Sequence, residues 1–424
     1  MMIETGEQDR APAGTSAGAP EVGLRYVARQ PILDLHGRVY GYELLFRDGP
    51  GTIFTGDGDL ATRTMLDNTL VFGWEKLASG AMAFVNCTRE ALTEALVDVM
   101  PPSMTVLEVL ETLEPTPDLI EACRKLKADG FKIALDDFTW RSEVEPLVEL
   151  ADIIKVDFTL SDSDERRWMI RRLGNRGITW LAEKVETQAE YQQACDEGFT
   201  LFQGYYFCRP VLLQNRKVPA NRLSQIEILQ MLRAEQIDMK KLARLVKREA
   251  ALTYRLLKLV NSPVCAVRQE VRSVETALLA VGEDTFRRIA TLAITSELST
   301  GQPAELLRMA FVRGRFCELM AAQSGQDSTE QYLLGMLSLL PAMLRVPMEQ
   351  LTPSLPLREE IRQALLGADL PEQKVLGWLE QHEQGNWDAC DRIVLQTGLT
   401  KATLASAYAQ ALVWAEAAMS VAHP

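Results

Sequence analysis

Between Arg25 and Pro210 the chain alternates short apolar runs with amphipathic stretches, and beyond Pro210 the alternation stops. No other feature limits the fold as tightly. Runs that read as strands are 26–33, 39–46, 82–86, 105–110, 132–136, 153–157, 179–182 and 200–207. Helix-like segments fall at 61–77, 89–98, 118–128, 144–150, 165–174 and 188–196, with Asp129-Gly130 and Asn175-Arg176-Gly177 as helix exits. Apolar strands that alternate with amphipathic helices form parallel sheets covered on the outside. About eight strands in ~185 residues suit a closed (β/α)8-type barrel better than an open sheet. Asp34-Leu35-His36-Gly37 joins the first two runs as a hairpin, so one barrel strand is expected to be antiparallel.

After Pro210 apolar residues recur at helical spacing through 223–233, 239–260, 274–281, 284–298, 304–324 and 331–344, and helices continue from 357 to the end. The expected fold is therefore α/β plus all-α. Residues 1–22, small and polar, read as a disordered tail, 23–212 as the barrel and 213–424 as a helical domain, with the joint near 211–220.

Charge separates the same two halves. The chain of 424 residues carries a net charge of −13. Residues 1–215 hold 21 Lys and Arg against 35 Asp and Glu, whereas residues 216–424 hold 24 against 23. A nucleic-acid partner is not expected, because a phosphate backbone requires a basic stripe. The three histidines, His36, His382 and His423, are too few and too scattered for a His–Asp metal centre. Seven cysteines show no C-x-x-C pair, as in a reduced, cytoplasmic protein. No run of 18 apolar residues and no signal-like leader is present, so no membrane partner is expected.

The polar residues of the first half fall late in successive strands: Glu43, Asn86, Glu108, Asp136-Asp137, Lys155 and Asp157, Glu183 and Gln203. In a (β/α) barrel those ends line one mouth. Any one of these acids alone would read as a helix cap or a solvated loop group. Gathered, they would repel one another unless a cation neutralised them. Oxygen ligands without His or Cys favour hard ions, Mg²⁺ or Mn²⁺, and two such ions suit attack of water on a phosphodiester.

At these residues the first half resembles the EAL domain, the family of cyclic di-GMP phosphodiesterases. The resemblance runs in order through Gln30-Pro31-Ile32, Gly41-Tyr42-Glu43-Leu44-Leu45-Phe46-Arg47, Val85-Asn86, Glu108-Val109-Leu110-Glu111, Asp136-Asp137-Phe138, Lys155-Val156-Asp157, Ala182-Glu183-Lys184-Val185-Glu186-Thr187 and Gln203-Gly204-Tyr205. It implies that Glu43, Asn86, Glu108 and Asp136 bind one metal ion and Asp137 a second. Lys155 and Glu183 would act on the attacking water, with Glu183 the favoured base, and Gln203 would order that water or the metal ligands. Arg47 and Gln30 would contact the dinucleotide, and Glu111 would brace the loop after Asp137 and Phe138. The implied activity is slow or conditional hydrolysis of cyclic di-GMP, with a receptor or scaffold role as the alternative.

Two departures from the family stand out. The name motif reads Glu43-Leu44-Leu45, which suggests that a small residue near the substrate has become larger. The family's Gly-Thr-Gly-Tyr-Ser-Ser stretch is replaced by Thr139-Trp140-Arg141-Ser142-Glu143, where Trp140 could stack a guanine or plug the mouth. The second half resembles the HDOD domain on residues 251–263 and on Ser273-Val274-Glu275-Thr276-Ala277 followed by Val281-Gly282. That implies a protein partner and a relay role, in the manner of YuxH-like EAL–HDOD signalling proteins, with a homodimer left open. Arg166-Arg167 and Arg171-Arg172 read as a solvated, self-paired face, and residues 336–340 as core.

Overall fold

The computed structural model describes residues 25–48, 78–94, 96–208 and 225–422, the last with interruptions between 226 and 270 and at 356. The expected tail, the helix at 61–77 and the joint at 211–220 lie outside the described residues.

Eight strands close a barrel in sequence order: β1 Arg25–Asp34, β2 Val39–Asp48, β3 Met82–Cys87, β4 Thr105–Val109, β5 Lys132–Leu135, β6 Ile153–Asp157, β7 Thr179–Glu183 and β8 Leu201–Gln203. β1 pairs antiparallel with both β2 and β8, and every other neighbour is parallel. The antiparallel strand follows from the hairpin, since a four-residue turn cannot return a chain to parallel pairing. Inside the barrel Ile32, Phe84, Val106, Ala134, Ile153, Leu181 and Leu201 fill the bore. Their neighbours in sequence, such as Leu33, Val85, Leu107, Ile133, Ile154 and Phe202, face outward into a second core under the helices. The near-continuous apolar strands thus reflect burial on both faces. The principal outer helices are α1 Pro117–Ala128, α2 Ser163–Leu173 and α3 Gln188–Glu197, the last opened by a capping box from Thr187 and Glu190.

The eighth strand stops earlier than its apolar run suggests. Gly204 takes φ +145°, and a Cβ there would stand 2.0 Å from the Val185 carbonyl oxygen. The chain leaves the sheet at that glycine, and 205–207 pack as a loop. Gly204→Ala is accordingly expected to cost about 2–3 kcal/mol of stability, which urea titration would measure as a lower midpoint.

The second part is helical: α4 Ala250–Val260, α5 Val274–Val281, α6 Glu283–Leu298, α7 Ala304–Ser324, α8 Ser328–Leu337, α9 Pro371–Glu383, α10 Trp387–Thr397 and α11 Lys401–Ala422, with shorter helical turns between. Met336, Leu337, Leu339 and Leu340 are buried, as expected of core. His382 is also core: it stacks on Trp378 at 4.8 Å, and burial pushes its pKa down to about 3, holding it neutral.

The short hairpin has a further consequence. No crossover helix lies between β1 and β2, so their outer face needs another cover, and the helical domain supplies it. Tyr42 Oη donates to Glu305 Oε2 of α7 at 2.7 Å, and Arg308 Nε pairs with the same carboxylate at 2.9 Å. Ser79 Oγ donates to Glu416 Oε1 at 2.7 Å, and Arg29 donates to Ser79 at 2.8 Å with its guanidinium 4.5 Å above the Tyr42 ring. Buried polar groups left without such partners would cost more than the bonds themselves contribute.

Candidate active site

Seven of the residues named from sequence meet at the C-terminal mouth of the barrel. Strand pleating explains why: Glu43, Asn86, Glu108, Lys155, Glu183 and Gln203 occupy inward positions at or near the ends of their strands, and Asp136 follows β5 directly. At the centre is Lys155, fully buried. Its Nζ lies 2.6 Å from Glu108 Oε1, 2.7 Å from Asp136 Oδ1, 3.0 Å from Glu183 Oε1 and 3.7 Å from Glu43 Oε2. Asn86 Nδ2 donates to Glu43 Oε1 at 3.0 Å, and Gln203 Nε2 donates to Glu43 Oε2 at 2.6 Å. Gln203 Nε2 also reaches Gln30 Oε1 at 2.9 Å.

Among the described residues one ammonium faces four carboxylates here, which leaves three formal negative charges in excess when all are ionised. The electrostatics record the conflict. Burial raises the Glu108 carboxyl well above its ordinary range, with Lys155 opposing and Glu43 and Asp136 reinforcing the shift. Burial likewise pushes Glu183 up to about 8, again against the pull of Lys155. For Lys155 burial favours the neutral form, but the surrounding carboxylates prevail and its pKa lies well above the usual lysine value.

The donor set suits a hard cation. Asn86 Oδ1, Glu108 Oε2 and Glu183 Oε2 are buried acceptors with no hydrogen-bond partner, an arrangement proteins normally avoid. Those of Asn86 and Glu108 are oxygens of the kind that Mg²⁺ and Mn²⁺ prefer as ligands, and that of Glu183 could accept a proton. Among the described residues no three acidic, His or Cys side chains stand in outright ligating geometry, because Lys155 occupies the space between the carboxylates.

The other expected residues are placed differently. Asp137 follows Asp136 with φ +39°, and its carboxyl is raised by burial and then by Asp136, with Lys184 opposing. Asp157 turns away to accept from Thr159 N and Oγ1, both at 2.6 Å, and pairs with Lys184. Glu111 meets the following loop through its main-chain carbonyl, which accepts from Arg141 Nη2 at 3.3 Å. The Arg47 side chain lies outside the described residues.

Three expectations are corrected. Leu44 is buried in the outer core, on the opposite face of β2 from Glu43, so the enlarged motif residue does not narrow the mouth. Trp140 neither stacks over the site nor plugs it: it packs edge-on to Trp168 at 6.2 Å, with the Arg172 guanidinium 4.6 Å from its ring. Arg166 is not solvated. It is buried, pairs with Glu197 at 2.7 Å and lies 3.8 Å over Phe158. Trp140 and Arg166, which read as exposed in sequence, each find an aromatic or ionic partner on a distant element.

A closed barrel with this oxygen-lined mouth, joined to a helical domain that covers its hairpin, defines an EAL barrel fused to an HDOD domain. The EAL domain family matches residues 86–210, and the HDOD domain family matches residues 219–358. The chain is 34% identical over 400 residues to "Uncharacterized protein YuxH" of Bacillus subtilis, covering 92% of this chain and 97% of that one. It is also 34% identical over 380 residues to "Cyclic di-GMP phosphodiesterase CdgJ" of Vibrio cholerae, covering 88% of each. The chain belongs to this EAL–HDOD family. Among solved structures it is similar to the calcium and cyclic di-GMP complex of Klebsiella pneumoniae BlrP1, at 25% identity and TM-score 0.37, over 46% of this chain and 57% of that one. No helix among the described residues is long and apolar enough to cross a membrane.

Proposed function

We propose that the barrel mouth binds Mg²⁺ or Mn²⁺ together with cyclic di-GMP and hydrolyses it, slowly or under control, to the linear dinucleotide. The observation that carries this reading is the surplus of buried carboxylate oxygens around Lys155 among the described residues, with unpartnered acceptors on Asn86, Glu108 and Glu183. Glu43, Asn86, Glu108 and Asp136 would hold one ion, with Asp137 at a second. When bound, the ions would neutralise these carboxylates and the charge on the scissile phosphate. Glu183 would take the proton of the attacking water through its free Oε2. Lys155, 3.0 Å from Glu183 Oε1, would keep that carboxylate oriented and stabilise charge on the transferring group. Gln203 and Asn86 fix both oxygens of Glu43, and Gln30 and Arg47 would contact the dinucleotide. The relative named as a cyclic di-GMP phosphodiesterase supports the substrate class. The HDOD domain would act as an interaction or relay module for a protein partner.

A second reading, a receptor or scaffold without turnover, is favoured by the loop after Asp137. Arg141 and Trp140 tie that loop to Glu111 and to α2, away from the mouth. Calorimetry separates metal binding from both readings: the wild type is expected to take up Mn²⁺, and Asp136→Asn to lower its affinity by about tenfold or more. A flat trace for the wild type would remove the metal site altogether.

A further inference from the structure

Helix α9 ends at Glu383, and the chain turns at Gly385 with φ +70°. This turn of the helical domain reaches the rim of the barrel mouth. A Cβ on Gly385 would lie 3.0 Å from Leu45 Cδ1 and 3.9 Å from Gln30 Nε2. Gln30 Nε2 donates a long hydrogen bond, 3.5 Å, to the main-chain carbonyl of Glu383. From there the contact runs inward, through Gln203 Nε2 to Gln30 Oε1 at 2.9 Å and from the same nitrogen to Glu43 Oε2 at 2.6 Å. The turn is fixed from behind by Arg313, whose guanidinium is buried between Glu383 at 2.7 Å and Glu380 at 3.0 Å and also donates to Ser338 at 3.1 Å.

We propose that this turn is a positioning element of the barrel's site, so that the helical domain is part of the site's wall and sets the orientation of Glu43. A carboxamide is polar, a donor at one end and an acceptor at the other. The Glu383 carbonyl can only accept, so it draws Gln30 Nε2 towards itself and leaves Gln30 Oε1 facing Gln203. That oxygen in turn draws Gln203 Nε2, which is then directed at Glu43. A reversed Gln30 would set its own Nε2 against Gln203 Nε2, donor against donor, beside the buried Gln203. Gly385 lets the turn approach this closely, because a side chain there would meet Leu45. The functional consequence rests on the reading of the mouth as a divalent-metal site, whereas the coupling itself does not.

Full-length Gly385→Ala, compared with Gly398→Ala, provides the test. Gly398 ends α10 at φ +68° with no heavy atom within 4 Å of a Cβ, so it carries the same backbone strain without the contact. Gly385→Ala is expected to weaken Mn²⁺ affinity about three- to tenfold and to speed hydrogen exchange in residues 28–33 and 42–45. Gly398→Ala should leave both at the wild-type level. Adding Leu45→Ala to Gly385→Ala makes room for the methyl group, and Mn²⁺ affinity should return to within about twofold of Leu45→Ala alone. Equal Mn²⁺ affinity and equal barrel exchange in the two glycine variants would overturn the proposal. A wild type that binds no Mn²⁺ would instead defeat the metal reading, and the exchange comparison alone would then decide the coupling.

Discussion

Glu183→Gln is expected to slow hydrolysis of cyclic di-GMP by about 10²–10⁴-fold while leaving Mn²⁺ affinity within a few-fold of wild type. The substitution keeps the shape of the side chain but replaces its basic oxygens. In the folded chain Glu183 Oε1 is held by Lys155 at 3.0 Å, and its other oxygen is buried and has no donor. A carboxylate pinned at one oxygen and bare at the other suits proton abstraction from a water. The assignment of Glu183 as base, and not as metal ligand, requires that turnover and metal affinity separate. A loss of metal affinity as large as the loss of turnover would place Glu183 among the ligands. Unchanged turnover would move the base elsewhere.

Lys155→Met is expected to cost about 3–5 kcal/mol of stability in the presence of a chelator, because the four carboxylates around Nζ would lose the one cation that pairs with them among the described residues. Glu108, which is fully buried, would be left facing Glu43 and Asp136 without compensation. Added Mn²⁺ should restore more stability in this variant than in the wild type, since the ion would replace the lost charge where the wild type already holds an ammonium. Thermal unfolding in chelator and in Mn²⁺ measures both effects. A chelated variant as stable as the wild type would show that the carboxylates are protonated and need no cation.

The barrel and most of its site are legible in the amino-acid order, and what stays hidden has physical causes. The barrel shows itself because strands buried on both faces must be apolar, and the hairpin turn at 34–37 identifies the antiparallel strand. The site shows itself because polar residues at strand ends in such a barrel face one mouth. Glu43, Asn86, Glu108, Asp136, Lys155, Glu183 and Gln203 duly come together there. Hidden from sequence is whatever depends on partners far along the chain. Nothing local to Trp140 indicates Arg172, nothing near Arg166 indicates Glu197, and nothing near Tyr42 indicates Glu305. Leu44 illustrates a subtler limit: its place beside Glu43 suggests the mouth, but strand alternation sends it outward. The turn at Gly385 offered one faint signal, a glycine after a helix, which reads as a cap and not as a contact with the barrel.

Binding and hydrolysis at the mouth are tested by incubating the purified full-length protein with cyclic di-GMP and Mn²⁺, with Glu43→Ala as control, followed by chromatography of the products and a thermal-shift measurement. The mouth described here predicts linear dinucleotide from the wild type, none from Glu43→Ala, and a rise in melting temperature with ligand and Mn²⁺ in the wild type alone. No product and no ligand-dependent shift in the wild type would contradict it.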